Sequence, residues 1–147
     1  LICYTMEKKA IEIADVEAVT TEQISSKIYE LVNLISNHKQ KQALDMFYDL
    51  LAQKEKPPRI LYSMTKHFET LLTIKIMSSQ GFHIKEIEDR IGLKDWMIKR
   101  YLGQTKSFSV ETLRKAVQDG VGYETDIKTG HIEEQIAVEL FIIEYSK

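Results

Sequence analysis

The chain has 147 residues and a mass of 17.1 kDa, with 44% hydrophobic residues, 29% charged residues and a formal net charge of −2. A chain of that size and balance can bury a core of its own, which excludes a disordered tail. Six glycines and two prolines are too few for the tight turns of an all-β sandwich, and they leave little material for a glycine-rich phosphate loop.

The first segment, 11–19, is short and apolar-periodic, with Ile13, Val16 and Val19 able to share a side. From Ile24 the spacing becomes helical: Ile24, Ile28, Leu31, Val32 and Ile35 recur at the period of one helix face, with Ser25 or Ser26 as N-cap and Ser36-Asn37-His38 as the end. The next stripe is Ala43, Leu44, Phe47, Tyr48 and Leu51, with Lys41, Asp45 and Asp49 turned to water. The short connection predicts an antiparallel pair. Pro57 and Pro58 suit a first helical turn, and a long helix follows through Leu61, Met64, Phe68, Leu71 and Leu72 to Gly81 as a left-handed terminator.

Two short helices are predicted over 84–105. Ile84, Ile87 and Ile91 line the first, Gly92-Leu93 makes the turn, and the second holds Trp96, Met97, Ile98, Tyr101 and Leu102, with Glu86 and Arg90 as an i, i+4 pair. Ser109 is the expected N-cap of the next helix, with Phe108 and Leu113 as its hydrophobic staple and Val110, Leu113, Val117 and Val121 as its face. Gly120 and Gly122 inside it suggest a kink or a close helix contact. Thr129-Gly130 ends it. A last helix starts near Ile132, with Glu133 and Glu134 in its first turn and Ile136, Leu140 and Ile143 on one face. Ala137, Val138, Phe141 and Ile142 make it apolar on other sides too, so it is expected to be buried by its own fold or by a neighbour. The fold class is therefore all-α, a helical bundle of about seven helices after the entry segment.

The charge is uneven. Residues 37–80 carry seven positive and four negative charges, whereas 131–147 hold Glu133, Glu134, Glu139 and Glu144 against Lys147 alone. A free-standing DNA binder is usually more basic overall. Cys3 is the single cysteine, so neither an internal disulfide nor a cysteine-based zinc site is available, in keeping with a reducing compartment. The apolar stretches fall well short of the roughly 20 residues of a membrane span, and nothing reads as a secretion signal. The opening Leu1-Ile2-Cys3-Tyr4 is read as the cut edge of a larger protein.

Candidate chemistry is sparse. The G-x-x-x-x-G-K pattern is absent. His38, His67, His83 and His131 are scattered without metal-ligand spacing, and Glu86, Glu88 and Asp89 read as a solvated face. No G-x-S-x-G frames a serine nucleophile. No catalytic residue, cofactor or metal is expected. Residues 84–102 have the layout of a helix-turn-helix, in which Lys94, Lys99 and Arg100 would face phosphates. Against a DNA-reading role stand the small local charge and Trp96, Met97 and Tyr101, which want burial. A hairpin inside a larger bundle explains the pattern better.

In combination, several segments carry a resemblance that none carries alone: 13–19 (IADVEAV), Lys41-Gln42-Ala43-Leu44, Pro58-Arg59-Ile60-Leu61 with the helix through Phe68, Leu71 and Leu72, the Ile84…Gly92-Leu93…Lys99-Arg100 hairpin, Phe108-Ser109 with Leu113, and Asp126-Ile127-Lys128-Thr129-Gly130. Over nearly its whole length the sequence resembles the C-terminal part of the delta subunits of bacterial DNA polymerase III, which are clamp-loader components. The resemblance implies three domains: two forming an AAA+-like module that has lost nucleotide binding, then a helical collar. Residues 1–20 would end the lid domain and 21–147 would form the collar. It also implies a non-catalytic scaffold. The collar would join delta prime and the ATP-hydrolysing subunits in a pentamer, and the sliding clamp would be met by the missing N-terminal domain. DNA would be met only indirectly, in the cytoplasm and away from any membrane. Ile136, Leu140, Phe141 and Ile143 are the expected subunit contacts. Gly120 and Gly122 depart from the helix formers expected there and put the straightness of that helix in doubt.

Overall fold

A computed structural model describes residues 26–147; the entry segment, the 1–20 domain assignment, Ile24, Ser25 and Cys3 lie outside them. The described residues form seven helices and no strand: α1 (26–36), α2 (Gln40–Ala52), α3 (Pro57–Ser79), α4 (Ile84–Ile91), α5 (Asp95–Thr105), α6 (Val110–Lys128) and α7 (Glu134–Tyr145). Lys27 at the start of α1 reaches Gln53, just past the end of α2, as in an antiparallel pair. Ser26 is already helical.

The long α3 organises the rest. It begins where Pro57 and Pro58 occupy the first helical positions, where a missing N–H costs nothing, and α4, α5, α6 and α7 all pack on it. Its buried side runs Ile60, Leu61, Met64, Phe68, Leu71 and Ile74. Phe68 is the centre of the larger core. The rings of Phe108 and Phe141 meet it edge-on at 5.5 and 5.6 Å, a favoured aromatic geometry. A smaller core of Ile74, Ile87 and Ile98 sits where α4 and α5 fold against the far end of α3.

The helix ends are closed by backbone geometry. At the end of α3, Phe82 N–H bonds to Met77 C=O and Gly81 N–H to Ser78 C=O; α6 ends the same way through His131 and Gly130. Gly81 and Gly130 are left-handed, at φ +89° and +78°, which only glycine adopts without strain. The same pattern closes α1 and α2, but there His38 (φ +60°) and Lys54 (φ +68°) take the left-handed place. Gly92, at φ +81°, ends α4. Ser109 caps α6 by accepting the Thr112 N–H at 3.1 Å, with Phe108 and Leu113 both buried as the staple requires.

Some expected faces are rotated. In α2 the buried residues are Ala43, Phe47 and Leu50, and Tyr48 is exposed. In α6 they are Leu113, Ala116 and Gly120, and Val121 faces solvent. Gly120 explains the second shift. It sits against α3 so closely that a Cβ would overlap the Thr65 hydroxyl, whereas Gly122 faces open space. Of the two explanations for these glycines, close approach therefore applies to Gly120. Trp96, expected to be buried, is 54% exposed. Arg90 lies over the Phe82 ring at 4.6 Å, and among the described ion pairs there is none between Glu86 and Arg90.

A candidate protein-interaction face on the last helix

Helix α7 is apolar on nearly every side, and the larger core takes up only part of that surface. Its inner side, Ala137, Val138, Phe141, Ile142 and Tyr145, is buried in this chain. Phe141 is fully enclosed between Phe68, which it meets edge-on, and Tyr145, whose tilted ring lies 4.9 Å away. The expectation that Phe141 meets a partner is thus corrected: its position one place along from Leu140 turns it into the bundle. Tyr145 donates a 2.5 Å hydrogen bond to Asp119 Oδ2; burial, and then that carboxylate, push its phenol far above the ordinary range.

The remaining three expected contact residues stay outside the core. Ile136 is 46% and Leu140 42% exposed, and Ile143 is half-buried. Spaced i, i+4, i+7, they form one stripe along α7. Glu139 lies within it, accepting a 3.0 Å hydrogen bond from Gln135 Nε2. Across the seam to α2, the Glu139 carboxylate lies beside the Tyr48 hydroxyl, whose pKa is raised by desolvation and then by that charge. Tyr48 and Glu139 were not expected here. The helical period of α7 places Glu139 in the stripe, but only the packing of α2 on α7 brings Tyr48 to it. At the far end Glu144 binds Lys147 at 3.2 Å and Lys115 at 3.4 Å. Those two lysines hold its carboxyl below the usual range.

The three cations singled out for phosphate contact are exposed but do not converge. Lys94 precedes α5, Lys99 pairs with Asp95 at 3.4 Å, and the Arg100 guanidinium lies 4.0 Å from the Tyr29 ring and 5.9 Å from Trp96. The α4–α5 hairpin packs its isoleucines on α3, as part of the bundle. Beside it, the His67 ring is buried with Nε2 2.7 Å from Gln104 Oε1, while Gln104 Nε2 donates to Tyr29 C=O at 3.0 Å. Burial lowers the His67 pKa, and the Gln104 bond offsets part of that. Among the described residues no group of three or more His, Cys, Asp or Glu side chains is placed to hold a metal ion, and no helix is long and apolar enough to cross a membrane.

The described residues thus define an all-α bundle whose last helix keeps an apolar stripe outside the core. Residues 25–145 match the family model described as the DNA polymerase III delta subunit, C-terminal domain, and the chain belongs to that family. It is 29% identical over all 147 residues to the DNA polymerase III subunit delta of Bacillus subtilis (strain 168), spanning 100% of this chain and 42% of that protein. The solved structure of the Bacillus subtilis DNA clamp loader delta protein superposes with a TM-score of 0.79 at 31% identity, over 84% of this chain and 36% of that one. The chain therefore spans about two-fifths of the length of these relatives.

Proposed function

We propose that this chain serves as the collar segment of a clamp-loader delta subunit. It is a non-catalytic scaffold, working in the cytoplasm, that seats the subunit beside delta prime and the ATP-hydrolysing subunits in a pentamer. The clamp-opening work belongs to the N-terminal part of the subunit, which the collar holds in place, and DNA is met through the assembly as a whole. One observation carries the reading: α7 has filled its inner side with core, yet still presents Ile136, Leu140 and Ile143 outward. A helix apolar on both sides needs two partners, and the bundle supplies one. Association then draws on packed apolar area at the stripe and on polar specificity at its rim.

Tagged full-length subunit is expected to retain the other clamp-loader subunits from a purified mixture. The double variant Ile136→Ser/Leu140→Ser is expected to release them while the bundle stays folded, since both side chains lie outside the fully buried core. Undiminished retention by the variant would remove α7 from the assembly surface.

A further inference from the structure

We infer that the α7 face is received by a cationic surface: an apolar helix stripe on a neighbouring subunit, flanked by lysine or arginine side chains. This rests on the reading of α7 as the docking face and adds the chemistry of the partner. The frame of the stripe is acidic. Glu133 and Glu134 lie at its N-terminal end, Glu139 within it, and Asp45 on α2 close enough to act on the Tyr48 hydroxyl beside Glu139. Among the described ion pairs, none engages any of these four carboxylates. The nearby cations differ in standing. Lys115 and Lys147 are both held by Glu144, and Lys41, four residues before Asp45 on α2, is exposed.

An apolar partner without charge would leave Glu139 desolvated against hydrocarbon, with only Gln135 and Tyr48 beside it, and buried carboxylates need a charged or strongly donating partner. A second copy of this chain would bring two acidic frames together, and like charges facing one another oppose docking. A basic rim satisfies both constraints. It supplies donors to Glu139 and to the carboxylates at the ends while the isoleucine and leucine side chains close the centre. Glu139 then acts as the specificity residue of the face, with the Gln135 side-chain amide holding its carboxylate in place.

The experiment uses the full-length subunit with the other purified clamp-loader subunits of its organism, following association by fluorescence anisotropy at 0.05 and 0.5 M salt. Wild-type affinity is expected to fall about tenfold between the two. Glu139→Lys is expected to weaken binding about tenfold at low salt and less than about twofold at high salt. Asp45→Lys, on an exposed position that does not test the fold, is expected to shift it in the same direction by about twofold to threefold. Ile136→Ser/Leu140→Ser is expected to weaken binding at least about tenfold at both salts. Salt-independent binding with full affinity in Glu139→Lys and Asp45→Lys, alongside loss in the serine variant, overturns the cationic partner and leaves the docking face standing. Full affinity in the serine variant overturns both. Self-association of the full-length subunit that the serine variant abolishes assigns the face to a second copy, and also overturns the inference.

Discussion

The two cores of this bundle differ in how many elements depend on them. The core around Phe68 gathers residues from Ile28 in α1 to Tyr145 in α7. The core of the α4–α5 hairpin has three fully buried side chains, Ile74, Ile87 and Ile98, under a cover of half-buried ones. Tyr101 packs partly against both. Burial that is shared among many elements must be lost all at once. A small satellite core can open while the rest stays folded. The bundle is therefore expected to have one global unfolding transition and a lower-energy local opening at the hairpin.

The largest effects should break that distinction open. Phe68→Ala removes a fully enclosed ring and its contacts with three aromatic neighbours, at a cost of about 3–5 kcal/mol to global stability. Ile87→Ala removes a side chain that is also enclosed. Its effect on global unfolding saturates at the hairpin's own opening free energy, because a hairpin that is already open loses nothing more. Denaturant melts of both variants, with hydrogen exchange resolved by residue, separate the two cases. Ile87→Ala should abolish protection across 84–105 and leave the amides of α3 and α6 protected. Simultaneous loss of protection in α6 would show that the cores are one cooperative unit.

The seam between α3 and α6 provides the next test. Gly120→Ala forces a methyl group into the Thr65 hydroxyl, and such overpacking costs about 1–3 kcal/mol, against a helix-propensity gain of about 1 kcal/mol. The net loss should appear in the global transition and not in the hairpin. Adding Thr65→Ala should restore most of it, because the overlapping atoms are then gone. A fully additive double variant would show that Gly120 matters for some reason other than this contact.

The hairpin is tied to the bundle by His67, which α3 presents to Gln104 of α5 and through it to the α1 backbone. Its folded pKa lies below the ordinary 6.5, so the unfolded chain binds the proton more readily. The tie is at full strength above that pH and is lost as pH falls toward the folded value. Among the described residues no carboxylate contributes to the His67 shift to offset the charge. Tyr29 and Tyr101 flank it edge-on, and Lys66 and Arg100 are the neighbouring charges. Stability measured by denaturant should therefore decline between pH 7 and 5, and His67→Gln should flatten that slope. An unchanged slope would assign the decline to other groups.

Much of this was legible in the sequence because the signals were local. Pro57 and Pro58, Gly81, Gly92, Ser109 and Gly130 mark helix ends by backbone chemistry that operates within four residues. The faces were harder to read. A stripe wider than one side chain has two edges, and the period alone does not say which edge meets the neighbour. The period thus puts Tyr48 and Val121 inside, where the fold buries Leu50 and Ala116 instead. Trp96 was expected in the core because large aromatic side chains usually are. Its ring instead lies near Arg100 at the surface. His67 was visible on the α3 wheel between Met64 and Leu71, but its partner Gln104 carried no signal, since a polar residue near a helix end usually meets water. Of the contact stripe, the period located Ile136, Leu140 and Ile143, and the fold was needed to separate Phe141 from them.

The smallest effects are expected where His38 and Lys54 hold left-handed positions at the ends of α1 and α2. A side chain there costs about 1–2 kcal/mol relative to glycine, while glycine adds entropy to the unfolded chain that returns part of the difference. His38→Gly and Lys54→Gly should each stabilise the bundle by about 0.5–1 kcal/mol. Gly81→Ala, with the same geometry and open space around the new Cβ, should destabilise by a similar amount. The three positions differ in what lies beside them. α1 and α2 end within the larger core, so their glycine variants should raise the global melting temperature. Gly81 joins α3 to the hairpin, so its alanine variant should raise hairpin exchange more than it lowers the global transition. Equal shifts in both readouts for all three would mean that the hairpin has no opening of its own.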